Sequence, residues 1–164
     1  MPISLLIVFH SITGGTQQMA EAAARGAASE SDVAVRLVRA SEAVANDLLA
    51  SDGYLFAAPE NLAALAGVMK DFFDRTYYAV LDRIVARPYA AMICAGSDGT
   101  NAVRQVERIV TGWRLKKCAE PLIVCTHAQT PEAILAPKRI APADLRRCAD
   151  LGATLAAGLT LGVF

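Results

Sequence analysis

The strongest constraint on this chain is a regular alternation of short apolar runs with longer segments of helical period. The runs are ISLLIVF (3–9), VAVRLV (33–38), GYLFAA (53–58), YAAMICA (89–95) and PLIVCT (121–126). Four of these five are almost wholly apolar, as strands covered on both faces of a parallel sheet should be. The second differs: Arg36 interrupts it and Arg39 follows it, so one of its faces can reach water and it suits an edge. Between the runs, Leu65, Val68, Met69, Phe72 and Phe73 form a helical stripe, and Val103, Val106, Ile109, Val110 and Trp113 form another. Leu145, Cys148, Gly152, Leu155 and Leu159 mark a third. The first helical segment is mostly alanine, with Met19, Ala23 and Ala27 on one face, so it can lie close to the sheet; residues 41–50 are short and weakly patterned.

Strand and helix in repeated succession predict right-handed crossovers and helices on both faces of one parallel sheet. Five strands with an exposed second strand fit a doubly wound α/β sheet of order 2-1-3-4-5, which reverses direction beside its first strand. Ligands of such sheets bind outside the carboxyl ends of the strands at the reversal, so the loops after strands one, three and four are the candidate site. The chain has 164 residues, more than half of them apolar, enough for one core without staples, and residues 1–164 are expected to form a single domain.

Charge and cysteine usage exclude several classes of function. Sixteen basic residues balance sixteen acidic ones, and neither sign gathers into a block suited to a phosphate backbone or an anionic bilayer, so neither nucleic acid nor membrane is expected as a partner. Residues 1–9 carry no basic leader, and the polar residues 10–18 interrupt any apolar stretch, so a cytoplasmic location is the expectation. Cys94, Cys118, Cys125 and Cys148 lie far apart, without a C-x-x-C pair or a histidine at finger spacing. They are read as reduced, mostly buried side chains, with no metal site.

The first loop carries the most chemistry. Ser11, Thr13 and Thr16 offer hydroxyls, Gly14 and Gly15 let the backbone turn tightly, and the amides ahead of residues 17–20 belong to a helix start without intrahelical acceptors. These converging donors suit a dianionic phosphate monoester, each charge-assisted hydrogen bond contributing roughly 1.5 to 3 kcal/mol. No lysine or arginine occurs between Ile3 and Glu21, so hydrogen bonds rather than side-chain cations have to hold the charge. That absence sets the loop apart from a nucleoside-triphosphate P-loop, and G-x-G-x-x-G is missing as well. A serine/threonine cap with an ordinary glycine turn is the competing reading.

SITGGT (11–16) resembles the S/T-x-T-G-x-T phosphate loop of flavodoxin-like FMN proteins, placed as in that family directly after strand one. The stretch APENLAALAGVMKDFFDRTYY resembles the segment after strand three in NADPH-dependent FMN reductases and NAD(P)H:quinone oxidoreductases, with its M-K-x-F-x-D-R helix at residues 69–75. CAGSDGTNAVRQVERI resembles their loop and helix after strand four. The resemblance implies a flavodoxin-like fold in which Ser11, Thr13, Gly14, Gly15 and Thr16 bind the FMN phosphate, with Gln17 as a weaker addition. It further implies that Pro59, Glu60, Asn61 and Leu62 run along the flavin ring and that Gly96, Ser97, Asp98 and Gly99 close over its pyrimidine side. In both of these loops the backbone matters more than the side chains.

Where the chain departs from the family, the departures bear on function. Electron-carrier flavodoxins usually sandwich the ring between aromatics and are strongly acidic; here Leu62 replaces an aromatic, none lies between Gly96 and Val103, and the net charge is zero. Two-electron chemistry is therefore favoured: FMN as cofactor, NAD(P)H as electron donor, and a quinone or flavin-type acceptor. The alternatives are a non-catalytic electron carrier and a cofactor-free binding protein of the same fold. No side-chain nucleophile or base is required, and none is assigned. Glu60 and Asp98 are read as exposed or helix-capping carboxylates in preference to substrate contacts, and His10 as a packing residue at the loop flank. His127 is placed at a strand end with no firmer role. Lys70 with Asp74, and Asp71 with Arg75, read as ion pairs on a solvated helix face. Phe72, Phe73, Tyr77 and Tyr78 read mostly as core, with a tyrosine left over for a partner subunit. The excursion HAQTPEAILAPKRIAP (127–142) reads as a stiff segment able to cover a ring edge or a neighbouring protomer, and LTLGVF raises the same question of a homo-oligomer.

Overall fold

Parallel strands in the anticipated order organise the computed structural model, which describes residues 2–164. In chain order the elements are β1 (Ile3–Phe9), α1 (Gly15–Ala27), β2 (Val33–Arg39), α2 (Ala45–Leu49), β3 (Gly53–Asn61), β4 (Ala64–Leu65), α3 (Gly67–Val80), β5 (Pro88–Ala95), α4 (Thr100–Gly112), β6 (Lys116–Lys117), β7 (Leu122–Cys125), α5 (Pro131–Leu135) and α6 (Pro142–Leu161). The sheet runs β2-β1-β3-β5, with β6 and β7 both on the outer side of β5. This is the flavodoxin-like α/β fold, with the reversal at β1.

The last position departs from the expected single fifth strand. Lys116 and Lys117 pair with Pro88 and Tyr89, and residues 122–125 pair with 92–95, so the four residues 118–121 stand opposite the two residues 90–91. The extra length bulges out of the ladder, and Pro121 has no N–H to return to it. A second addition is β4, which pairs antiparallel with the end of β3 through Glu60 with Leu65 and Asn61 with Ala64. The edge position of β2 is as expected, most of its residues being at least partly exposed.

Each central strand is apolar throughout because it is covered on both faces. In β1, Leu5, Ile7 and Phe9 pack with Met19, Ala20 and Ala23 of α1 and Cys148, Leu155 and Ala156 of α6. Leu6 and Val8 point the other way, into a layer shared with Leu48 of α2, Met69, Phe72 and Phe73 of α3 and Val106 and Val110 of α4. At the centre of that layer Phe56 meets Phe73 at 5.1 Å and Tyr54 at 5.9 Å between ring centroids, with Trp113 at 6.4 Å. Burial of each large side chain contributes about 1.5 to 3 kcal/mol. Tyr78 stands outside the core, 82% exposed, and meets the half-buried Tyr77 at 4.9 Å between ring centroids, the rings tilted by 49°.

The alanines of α1 have a second use beside their contact with the sheet. A Cβ at Gly26 would fall 1.9 Å from the Ala149 carbonyl oxygen, and one at Gly152 would fall 1.9 Å from that of Ala23, so α1 and α6 touch backbone to backbone. The helix of residues 69–75 also does more than its exposed ion pairs suggest. Lys70 meets Asp74 at 2.7 Å on the surface, but Arg75, paired with Asp71 at 2.6 Å, also donates to the carbonyls of Ala40 at 2.7 Å and Ala43 at 3.1 Å and so fastens the loop after β2. Among the described residues, no helix is long and apolar enough to cross a membrane, and no group of three or more His, Cys, Asp and Glu side chains is placed to hold a metal ion.

Gly26→Ala and Gly152→Ala are each expected to lower the unfolding free energy by about 3 kcal/mol through overpacking. Gly112→Ala, where an added methyl meets nothing within 4 Å, should be neutral or slightly stabilising. Urea denaturation monitored by circular dichroism measures all three.

Candidate functional site

Three chain segments meet at the carboxyl ends of β1, β3 and β5, and they differ in how their polar groups are satisfied. In the first, Gly14 adopts φ 91° and lets the chain turn from β1 straight into α1. Its N–H donates to the Ser11 hydroxyl at 3.1 Å. The first amide of the helix to find a carbonyl is that of Gln18, which donates to Gly14 at 3.1 Å. The amides of Gly15, Thr16 and Gln17 precede it and meet no protein acceptor among the described residues. No acidic residue lies in the first turn, and no side chain caps it.

The start of α4 has the same backbone and the opposite outcome. Gly99 turns at φ 88°, but its N–H donates to Glu60 Oε1 at 2.9 Å, and Ala102 N–H donates to Glu60 Oε2 at 3.1 Å. Asp98 Oδ1 accepts from the Thr100 hydroxyl and from the Thr100 amide, contacts that hold its carboxyl below the ordinary value. One glycine-turn helix start is thus neutralised by two carboxylates, while the other has no internal acceptor for its first amides among the described residues.

Glu60 belongs to the hairpin of β3 and β4, whose tip is Leu62 at φ 51° and Ala63 at φ 61°. A two-residue loop with both φ values positive matches the twist of the flanking strands and is normally made by Asn-Gly. Leucine and alanine there cost about 1 to 3 kcal/mol each. Bonds to α4 hold the conformation: Asn101 donates to the Ala63 carbonyl and Leu65 N–H donates to Gln105 Oε1, both at 2.6 Å. Leu62 is left fully exposed at the tip.

Around these loops lies a two-chambered cleft. A chamber of about 200 Å³ is lined by Ser11, Ile12, Thr13, Gly15 and Thr16 under Ile134 and Leu135. One of about 400 Å³ is lined by Glu60, Leu62, Ala63, Gly96, Ser97 and Thr126. Thr13, Pro59, Asn61, Cys94 and Ile134 border both. Of the residues singled out in sequence, Gly14, Gln17, Asp98 and Gly99 do not line it. Gly14 and Gly99 serve as hinges, Asp98 folds onto Thr100, and Gln17 turns away to Glu21 at 2.9 Å and Arg39 at 3.3 Å. His10 anchors the loop through its N–H to the Ala57 carbonyl at 3.0 Å, and burial with the nearby Arg39 lowers its pKa, favouring the neutral ring. His127 is exposed and borders a neighbouring cavity.

Several cleft residues escape sequence reasoning. Cys94 closes the floor; burial pushes its thiol up to about 11 although the Thr16 hydroxyl hydrogen-bonds it. Its place was recoverable, since the alternation along β5 puts it on the α1 side at the strand's carboxyl end. The segment 127–142 folds over the first loop: Lys138 N–H donates to the Thr13 carbonyl at 2.8 Å, and the Gln18 amide bonds the Lys138 carbonyl at 2.7 Å and the Ile140 N–H at 3.1 Å. α5 thereby roofs the smaller chamber.

Comparison with known proteins agrees with this architecture. Residues 39–117 match the family model described as NADPH-dependent FMN reductase, a span that holds the second and third loops but not the first. The chain is 39% identical over 70 residues to a flavodoxin of Aquifex aeolicus, and 34% identical over 92 residues to an NAD(P)H dehydrogenase (quinone) of Acidithiobacillus ferrooxidans. These matches take in 43% and 44% of this chain, and 38% and 46% of the length of the two relatives. Among solved structures, an archaeal flavodoxin superposes with a TM-score of 0.78 at 18% identity, covering 96% of this chain and 99% of that one. A WrbA-like flavodoxin of Agrobacterium tumefaciens does so with 0.68 at 18% identity, covering 97% and 98%. The flavodiiron core of Synechocystis superposes with 0.78 at 17% identity, covering 98% of this chain and 37% of that one. The resemblance to flavodoxin-like FMN proteins and FMN reductases is supported by the family match and the curated relatives.

Glu60→Ala is expected to cost about 2 kcal/mol of stability by uncapping α4, and Ala63→Gly to add about 1 kcal/mol by relieving a left-handed residue. Guanidinium denaturation midpoints of the two variants against the wild type check both signs.

Proposed function

From a flavodoxin-like chain whose residues 39–117 match the FMN reductase family, we propose an FMN-binding oxidoreductase that passes electrons from NAD(P)H through flavin to a quinone or flavin-type acceptor. The observation that carries this reading is the contrast between the two helix starts. The amides of Gly15, Thr16 and Gln17, with the hydroxyls of Ser11 and Thr13, converge without an internal anion, whereas α4 keeps Glu60 at its own amides. Such an end favours a phosphate dianion, for which no metal is needed. The residues present fit FMN: the hydroxyl-lined chamber suits the phosphate, and the larger chamber, walled by backbone and by Pro59, Asn61, Leu62 and Gly96, suits the ring.

When bound, the flavin supplies the redox chemistry. The chain's part is to hold and orient it. Thr13 and the amides of α1 fix the phosphate end, the hairpin tip at Leu62 and Ala63 bounds one side of the ring chamber, and Gly96 and Ser97 bound the other. Glu60 acts by joining hairpin to α4, which keeps the two walls at a fixed spacing, and its carboxylate oxygens are occupied by amide donors. The likeness to NAD(P)H dehydrogenase (quinone) supports the donor and acceptor classes. The likeness to flavodoxins supports a second reading, an electron carrier working with protein partners.

Saturating the protein with FMN, removing excess by gel filtration and adding NADPH or NADH without oxygen separates the two. Rapid bleaching of retained flavin is expected for the reductase; retained colour without bleaching indicates the carrier. Thr13→Val should weaken FMN binding roughly ten- to a hundredfold while leaving riboflavin binding within a few-fold, in line with one lost charge-assisted hydrogen bond. Fluorescence titration with both ligands provides the measurement.

A further inference from the structure

We propose that Lys138 brings a cation to the phosphate from the wall of the larger chamber: its ε-ammonium turns from the carbonyl oxygens at the end of α5 to the phosphate ester of the bound flavin and adds to the preference for phosphorylated over unphosphorylated flavin that the donors of α1 create. The inference rests on reading the cleft as an FMN site. The first loop contains no basic residue, but the fold brings one to it from the far end of the chain. Lys138 is pinned at the loop by its own main chain, the N–H donating to the Thr13 carbonyl at 2.8 Å and the carbonyl accepting from Gln18 at 2.7 Å. Its Cβ lies 3.4 Å from where a Cβ on Gly15 would stand, so the flexible stem leaves the backbone beside the first residue of α1. Among the described residues, Lys138 is the one cation that lines the larger chamber, and none lines the smaller.

The present partners of the ammonium are replaceable. Lys138 Nζ donates to the carbonyls of Ala133 and Ile134 at 2.8 Å and of Ala136 at 2.6 Å, and among the described residues no carboxylate pairs with it. All three acceptors are neutral, and a phosphate dianion adds charge–charge attraction that neutral oxygens cannot supply. The carbonyls also belong to the segment whose Ile134 and Leu135 roof the smaller chamber, so the ammonium is held on the element that covers the proposed phosphate site. Arg39 is no rival: it lies over the Phe9 ring at 5.1 Å and reaches Gln17, outside the cleft lining.

The test is the affinity of the full chain for FMN and for riboflavin, by flavin fluorescence at low and moderate salt, for the wild type, Lys138→Gln and Lys138→Arg. The expected result is an FMN affinity about tenfold weaker in Lys138→Gln, with riboflavin changed less than twofold and a flatter salt dependence for FMN, and partial recovery in Lys138→Arg. Equal loss of both ligands in Lys138→Gln, or loss of neither, would overturn the inference and leave Lys138 as a cap on α5. Should Lys138→Gln not fold, the wild type still decides: FMN affinity that falls with salt while riboflavin affinity does not supports an engaged cation, and salt-independent FMN binding overturns it. A wild type that binds FMN no more tightly than riboflavin would defeat the phosphate-site reading itself, and this inference with it.

Discussion

The structure turns on which of two helix starts keeps its amides to itself. α1 and α4 both follow a glycine in the left-handed region, at φ 91° and 88°, and both begin at the carboxyl end of the same sheet. Glu60 and Asp98 satisfy α4 from within; nothing anionic among the described residues does so for α1. Because β1 lies between β2 and β3, the helices that follow β1 and β3 pack on opposite faces of the sheet, and the open amides stand beside the crevice that this reversal creates. A packed core therefore leaves one concentrated positive end without a partner, at the place where the fold makes room for a ligand.

The walls of the cleft are held by the same polar economy. The hairpin tip at Leu62 and Ala63 sits in a conformation those residues resist, and it persists because Glu60, Asn101 and Gln105 tie the hairpin to α4 at four points. Pre-organised walls spare a ligand the cost of ordering them. The larger chamber is bounded by a mixture of polar and aliphatic residues, with no aromatic side chain among the described residues of its lining. That surface gives the flavin of the proposed reductase a weaker grip than stacked aromatics would, and it puts more of the binding on the phosphate end.

Much of this was legible in the sequence, and for physical reasons. The strands β1, β2, β3 and β5 start within a residue of where the apolar runs do, because burial on both faces forces continuous apolar sequence. The fifth strand was less legible: PLIVCT is apolar, but nothing in it announces that residues 118–121 bulge away from β5. The β3–β4 hairpin was invisible because its turn residues are Leu62 and Ala63, where turn chemistry calls for glycine or asparagine. Glu60 was read as a cap or an exposed carboxylate, but that it caps α4 is a tertiary fact, as is the placement of Ile134, Leu135 and Lys138 over a loop at the other end of the chain. Arg75 was half legible, its pairing with Asp71 following from helical spacing and its hold on Ala40 and Ala43 from packing alone.

The central claim is that uncharged donors at the start of α1 take up a phosphate dianion. Amide chemical shifts report this directly: in nitrogen–proton correlation spectra of labelled protein, the change from riboflavin to FMN should move the amide protons of Gly15, Thr16 and Gln17 downfield as they acquire a charged acceptor. Those of Gly99 and Ala102, already bonded to Glu60, should stay in place. Stationary resonances at Gly15 to Gln17, with the FMN-specific shifts gathered elsewhere, would contradict it.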